Sequence, residues 1–170
     1  AGCYGQNLVR TPHLDRLARE GARLVNCITA APLCGPSRAS LMTGLTPTHN
    51  RVWDNDQILS STIPTWAHRL AASGYDTALV GRMDFSGADQ RHGFQERPFG
   101  EFGARHPGVP PFGGPPWQKY SPHTLGQSRI ALEQAGRGRT AYQWFDEQVA
   151  AAAVRYLEER SRQDSPRPFA

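Results

Sequence analysis

The residues best suited to chemistry lie in the segment APLCGPSRASLMTG, residues 31–44. Cys34 is followed two residues later by Pro36 and four residues later by Arg38. Proline at a first turn and glycine at the end, Gly44, predict a helix that begins at Pro36. The cysteine would then face the positive end of the helix dipole, which favours an anion, and the arginine one turn on offers a planar fork of donors. The spacing therefore predicts a reactive group that faces a bound anion.

Other cysteine chemistries fit this segment poorly. A phosphatase cysteine loop needs an arginine at the place held here by Ser40, and neither a G-x-S-x-G elbow nor a G-x-x-x-x-G-K-[ST] loop occurs. Cys3, Cys27 and Cys34 include no C-x-x-C pair, so neither a disulfide framework nor a zinc knuckle is predicted. An isolated cysteine would most simply be a small buried hydrophobe, and Pro36 and Arg38 reverse that preference.

Helical and strand patterns alternate around this segment. Apolar spacing, proline starts and glycine stops predict helices over 11–21 and 64–74, and a further helix over 140–161. Apolar runs predict strands over 22–30 and 75–81. This order is typical of an α/β protein with a mainly parallel sheet.

A long segment rich in glycine and proline interrupts the pattern. From residue 98 to residue 118, eleven of 21 positions are Gly or Pro. The composition predicts an irregular loop over 98–126, and loops of this length are often functional.

Composition restricts the partners. The chain has 170 residues, a net charge of +4, and arginines spread from Arg10 to Arg167 instead of clustering on one stretch. We expect one domain and no nucleic-acid partner. The positive charge is compatible with small anionic ligands, and the excess of arginine equally fits a genomic bias in composition. No apolar run reaches the length of a membrane span. No leader is visible, which favours a cytoplasmic location, but the start looks truncated and the location is left open. The chain opens without Met and closes in SPRPFA, so we expect a fragment of a longer protein.

The segment PLCGPSRASLMTG resembles the signature of the type I sulfatase family, and TPHLDRLAREGARLVNCITAAPLC resembles the run that leads into it. Residues 52–70 and 81–97 resemble the choline-sulfatase-like branch. The resemblance implies an alkaline-phosphatase-like sandwich, with a mainly parallel central sheet flanked by helices. Residues 1–170 would form the N-terminal part of a single catalytic domain, present here as a partial domain. The implied reaction is hydrolysis of a small-molecule sulfate monoester.

The resemblance also implies roles for individual residues. Cys34 would be converted to formylglycine by a maturation enzyme, and would act as nucleophile and as a ligand of a divalent cation, typically calcium. Arg38 would stabilise it, while Arg82 and Asn55 would hold the sulfate side of the substrate. His123 loosely matches a pocket histidine of the branch. Asn55 fits a turn residue equally well, and His123 also fits a solvent-facing loop residue. The family's remaining metal ligands would lie outside residues 1–170, so this chain alone is expected to bind metal poorly and to turn over little.

Asp84 departs from the family pattern, which usually has histidine there and lysine at the position of Arg82. A carboxylate would repel a sulfate ester unless it were protonated or paired. Two alternatives to the sulfatase therefore stay open. One is a phosphonate or phosphate monoester hydrolase on the same scaffold, and the other is a degenerate, non-catalytic relative. Homo-oligomerisation is left open.

Overall fold

A short parallel sheet with helices on both faces organises the computed structural model, which describes residues 1–6, 8–100, 133, 136–138, 141–163 and 167–170. The described elements, after a 3₁₀ turn at Gly2–Tyr4, are helices α1 (Pro12–Glu20), α2 (Cys34–Thr43), α3 (Pro47–Asn50), α4 (Trp66–Ala72) and α5 (Ala141–Ser161), and strands β1 (Ala78–Val80) and β2 (Glu96–Phe99).

Strand β1 is paired on both edges. It pairs in parallel with β2, with Ala78 opposite Glu96 and Val80 opposite Phe99. On its other edge the C-terminal residues 167–170 run parallel to it, where the Ala78 N–H donates to the carbonyl of Ala170 at 2.9 Å. The predicted parallel α/β arrangement is therefore confirmed.

Alternate residues of β1 enter two separate apolar clusters, because successive side chains of a strand point to opposite faces. Leu79 packs on one face, and Val80 on the other. The first cluster contains side chains from α2, α4, β1 and the loops that follow α3 and β1: Ala39, Met42, Val52, Leu59, Ala67, Leu79, Met83, Phe85 and Phe94. The second joins the sheet to α5 through Val80, Phe99, Trp144, Phe145, Val149 and Ala152.

The helix predictions agree with the structure except at two starts and in the short helix α3, which was not predicted. Helix α4 begins at Trp66, two residues after the predicted start at residue 64. The expected helices over 11–21, 64–74 and 140–161 correspond to α1, α4 and α5. Helix α2 begins at Cys34, two residues before the predicted start at Pro36. The N–H of Ser37 already donates to the Leu33 carbonyl at 3.0 Å, and a proline in the first turn loses nothing because its missing N–H would have no partner inside the helix.

The strand predicted over 22–30 is wrong. None of these residues lies in a strand, and Leu24, Val25 and Ile28 are 66%, 75% and 91% exposed. A strand needs a neighbour to satisfy its backbone groups, and no described residue pairs with this segment.

The predicted loop over 98–126 begins too early. Residues 98 and 99 belong to β2, which the sequence analysis missed. Proline argues against a strand in a sequence, and this strand alternates only weakly between exposed and buried positions, so neither signal indicated it. Residues 101–126, including His123, lie outside the described residues.

Candidate active site

Three segments meet at the carboxyl end of β1. The N-terminus of α2 brings Cys34 and Arg38, the loop between α3 and α4 brings Asn55, and the turn after β1 brings Arg82 and Asp84. The carboxyl ends of parallel strands are where α/β proteins bind their ligands. Four of the five predicted site residues are therefore brought together, whereas His123 stays a prediction outside the described residues.

Cys34 is the first residue of α2 and its side chain is exposed. The residue before it, Leu33, has an extended backbone and supplies no side-chain cap to the helix. A helix start without its own cap leaves backbone N–H groups available to an external acceptor. The thiol therefore lies at the positive end of α2 and is reachable from solvent.

Asn55 supplies the acceptor that Leu33 lacks. Its side-chain oxygen accepts the N–H of Gly35 at 2.8 Å. The Asn55 carbonyl in turn accepts the hydroxyl of Ser86 at 3.1 Å, which ties this loop to the turn after β1. A Cβ at Gly35 would lie 3.2 Å from the Asn55 side-chain oxygen and 3.4 Å from the Asp54 carbonyl, so the close approach favours glycine. The family resemblance implied a substrate contact for Asn55, which stays a prediction, and the structure shows these structural contacts.

Arg38, Arg82 and Asp84 form one charged cluster. Nε of Arg38 lies 3.1 Å from Oδ2 of Asp84, and Nη2 of Arg82 lies 2.8 Å from Oδ1 of the same carboxylate. Nε of Arg82 also donates to Oδ1 at 2.8 Å. A further bond from Nη1 of Arg38 to the Arg82 carbonyl, at 2.8 Å, fixes α2 against the turn after β1. The aspartate is therefore a bridge between two guanidinium groups.

Burial within this cluster is unequal. The Asp84 side chain is 0% exposed, whereas Arg38 and Arg82 are 36% and 26% exposed. The backbone at Asp84 is left-handed, with φ 57°, and this conformation turns the chain sharply after β1. The carboxylate thus lies beneath the two cations, which present the accessible surface. Asp84 meets the condition that sequence analysis set for it, because it is paired.

Sequence reasoning missed this bridge because Arg82 and Asp84 lie 44 and 46 positions after Arg38 in the sequence. The only signal in the sequence was that both departures from the family pattern, Arg82 and Asp84, occur two residues apart. A guanidinium offers Nε and Nη2 side by side to one carboxylate, which an ammonium cannot do. Such a pair of departures is a hint of mutual contact.

The described residues do not form a complete cation site. Within those ranges, no three His, Cys, Asp or Glu side chains come together as candidate metal ligands. Cys34 remains a single predicted ligand at an exposed helix start.

Every helix in the described part of the chain is too short or too polar to cross a bilayer.

Sequence comparison identifies the family. The sequence model described as Sulfatase matches residues 1–169. The choline-sulfatase of Rhizobium meliloti strain 1021 is 50% identical over 91 residues, which cover 54% of this chain and 18% of that protein. The N-acetylglucosamine-6-O-sulfatase of Bacteroides thetaiotaomicron is 41% identical over 80 residues, which cover 47% of this chain and 14% of that protein. The chain thus spans less than a fifth of the length of these relatives.

Solved structures agree in fold. A protein in complex with its substrate D-glucosamine-2-N,6-O-disulfate matches 57% of this chain and 19% of its own, with TM-score 0.54 and 37% identity. The phosphonate monoester hydrolase of Agrobacterium radiobacter matches 99% of this chain and 36% of its own, with TM-score 0.62, and its 22% identity shows the shared fold alone. The alkaline-phosphatase-like α/β fold class is confirmed.

Sulfatases generally depend on formylglycine and on a metal. Because the family model matches almost every residue, this chain belongs to the Sulfatase family.

Proposed function

We propose that this chain is part of a sulfuric ester hydrolase that cleaves a small-molecule sulfate monoester, with a formylglycine made from Cys34 as nucleophile. The observation that carries the proposal is the position of an exposed Cys34 at the start of α2, next to the cluster that contains Arg38 and Arg82. Helix start and guanidinium groups both favour an anion, and a sulfate ester presents one.

Each residue has a distinct task in this reaction. Arg38 and Arg82 neutralise the terminal sulfate oxygens and orient the sulfur towards position 34. Asn55 holds the N–H of Gly35, and so keeps the first turn of α2 in a fixed position beside the anion. When present, the formylglycine side chain supplies the oxygen that attacks sulfur. The predicted cation is calcium, with position 34 as one of its ligands, and the described residues alone do not complete its site.

Maturation can be tested on one peptide. Trypsin releases residues 24–38, which contain both Cys27 and Cys34, and both thiols are exposed. After co-expression of the full-length protein with a formylglycine-generating enzyme, fragmentation mass spectrometry should find the aldehyde at Cys34 and an intact thiol at Cys27. An unmodified Cys34, or an aldehyde at Cys27, would contradict the proposal.

Activity separates the proposal from both alternatives. The matured full-length protein should hydrolyse an aryl sulfate faster than an aryl phosphonate or aryl phosphate with the same leaving group. Cys34→Ala should abolish the aryl sulfate activity, while Cys27→Ala should retain it. A preference for the phosphonate would support the phosphonate hydrolase, and the absence of turnover on every ester by a fully matured protein would support the non-catalytic relative.

A further inference from the structure

The bridging carboxylate Asp84 gives the anion pocket a charge balance that a pocket of two free arginines would not have. Arg38 and Arg82 carry two positive charges, and Asp84, in contact with both, carries one negative charge. These three side chains together carry a net charge of +1. We propose that Asp84 is a specificity-determining positioning residue that shifts the selectivity of the pocket away from doubly charged tetrahedral anions and towards singly charged ones. This inference rests on the proposed sulfate-ester function.

The geometry supports an electrostatic effect instead of a direct contact. The Asp84 side chain is fully buried beneath the two guanidinium groups, which remain partly exposed. A bound anion therefore contacts the two arginines directly, and the carboxylate behind them repels it electrostatically without touching it. Water does not reach the carboxylate to screen it, so its charge acts at a low effective dielectric constant.

The chemistry of the esters turns this charge into selectivity. A sulfate monoester carries a single negative charge, whereas a phosphate monoester carries close to two near neutral pH because its second pKa is about 6. The repulsion from Asp84 is therefore about twice as large for the phosphate monoester as for the sulfate monoester. The aspartate thus reduces the affinity for dianions more than the affinity for monoanions, although it costs some affinity for both.

Asp84 also fixes the two arginines that bind the anion. Each oxygen of the carboxylate lies beside a different guanidinium, and this arrangement links Arg38 of α2 to Arg82 in the turn after β1. The same charge that weakens dianion binding therefore preorganises the site for a monoanion. A histidine at this position would hold neither arginine by charge.

The test compares two probes of similar shape and different charge. Sulfate is a dianion and methyl sulfate is a monoanion. Their dissociation constants are measured by calorimetry on the full-length protein with Cys34→Ala, so that turnover does not interfere. Asp84→Asn should raise the affinity for sulfate relative to methyl sulfate by about tenfold, since it removes one unit charge near the pocket.

Controls separate selectivity from stability and from the proposed function. Asp76→Asn removes a carboxylate that also pairs with two arginines, Arg160 and Arg167, at the opposite end of β1. This variant should leave the ratio of the two affinities unchanged. Asp84→His, which restores the usual family residue, replaces Asp84→Asn if that variant does not fold, and should raise the same ratio.

The outcomes are distinct. An unchanged or lower sulfate-to-methyl-sulfate affinity ratio in a folded Asp84 variant would overturn the inference, even if the matured protein hydrolyses aryl sulfates. A raised ratio in a protein whose matured form hydrolyses no ester would support the inference and refute the proposed function.

Discussion

Asn55 gives the sharpest test of how the site is held together, because one side-chain oxygen joins two segments. It accepts the N–H of Gly35 in the first turn of α2, and no side chain caps that helix from Leu33. Replacement by alanine would leave a part-buried donor without its partner. Replacement by aspartate would keep the acceptor and add a negative charge at the helix start, beside the anion site.

The expected magnitudes follow from that single bond. Asn55→Ala should lower the free energy of unfolding by about 1 kcal/mol, the usual cost of losing a helix-start acceptor. Asn55→Asp should keep or slightly raise it, because a charged acceptor at a helix N-terminus is favourable by about 0.5 kcal/mol. At an assumed separation of about 8 Å and an effective dielectric constant of about 20, this charge should oppose binding by about 2 kcal/mol for each negative charge on the anion, and sulfate carries two. Sulfate affinity should therefore fall at least about tenfold in Asn55→Asp.

Two measurements check this pair of variants. Urea-induced unfolding of the full-length protein reports stability, and calorimetric titration with sulfate reports anion affinity. Gln163→Glu, which adds the same charge at an exposed position just beyond α5, is the control for the binding measurement and should leave the sulfate affinity unchanged. The reasoning would be refuted by an Asn55→Ala protein as stable as the parent, or by an Asn55→Asp protein that binds sulfate as tightly as the parent.

Two further predictions concern regions outside the site. His92 is fully buried, and burial lowers the pKa of its imidazole, although the nearby Asp89 carboxylate opposes this effect. The unfolded chain therefore binds a proton at His92 more readily than the folded chain does. The free energy of unfolding should be greatest above pH 6.5 and should fall as the pH drops below that value. His92→Gln should flatten this dependence in urea unfolding between pH 7.5 and 5, whereas His49→Gln, at an exposed position, should not. Arg160, almost fully buried and paired with Asp76, holds α5 to the residues that precede β1; Arg160→Ala should cost about 3 kcal/mol in the same assay, and a loss below about 0.5 kcal/mol would show that the pair contributes little.

The local part of the site could be predicted from sequence, and the long-range part could not. Cys34, Pro36 and Arg38 are neighbours along the chain, so helix geometry alone relates them. The contacts of Arg38 with Arg82 and Asp84 depend on the apolar cluster that contains Met42 of α2 and Leu79 of β1 together with other buried side chains. No local pattern encodes that packing, so the sequence left open whether Asp84 is paired, and the structure shows that it is paired with both arginines.

The errors in strand prediction have the same physical origin. Residues 22–30 have apolar character suited to a strand but no partner among the described residues, and residues 96–99 form a strand despite Pro98. A strand is defined by its neighbour, and proline is tolerated where the neighbour does not need its N–H. Helices satisfy their backbone bonds internally, so α1, α4 and α5 were found from sequence alone.

The two departures from the family pattern make sense only as a pair. A lysine at position 82 would give a point charge with no fork, and an aspartate alone at position 84 would leave a buried carboxylate next to the anion. Arg82 resolves both problems, because its Nε and Nη2 both lie within 2.8 Å of Oδ1 and leave Oδ2 for Arg38. The buried charge is thereby compensated on both sides, which is the condition under which a fully buried carboxylate is tolerated. Asp84 is therefore compatible with the proposed anion site, because its charge is compensated while both guanidinium groups remain partly exposed.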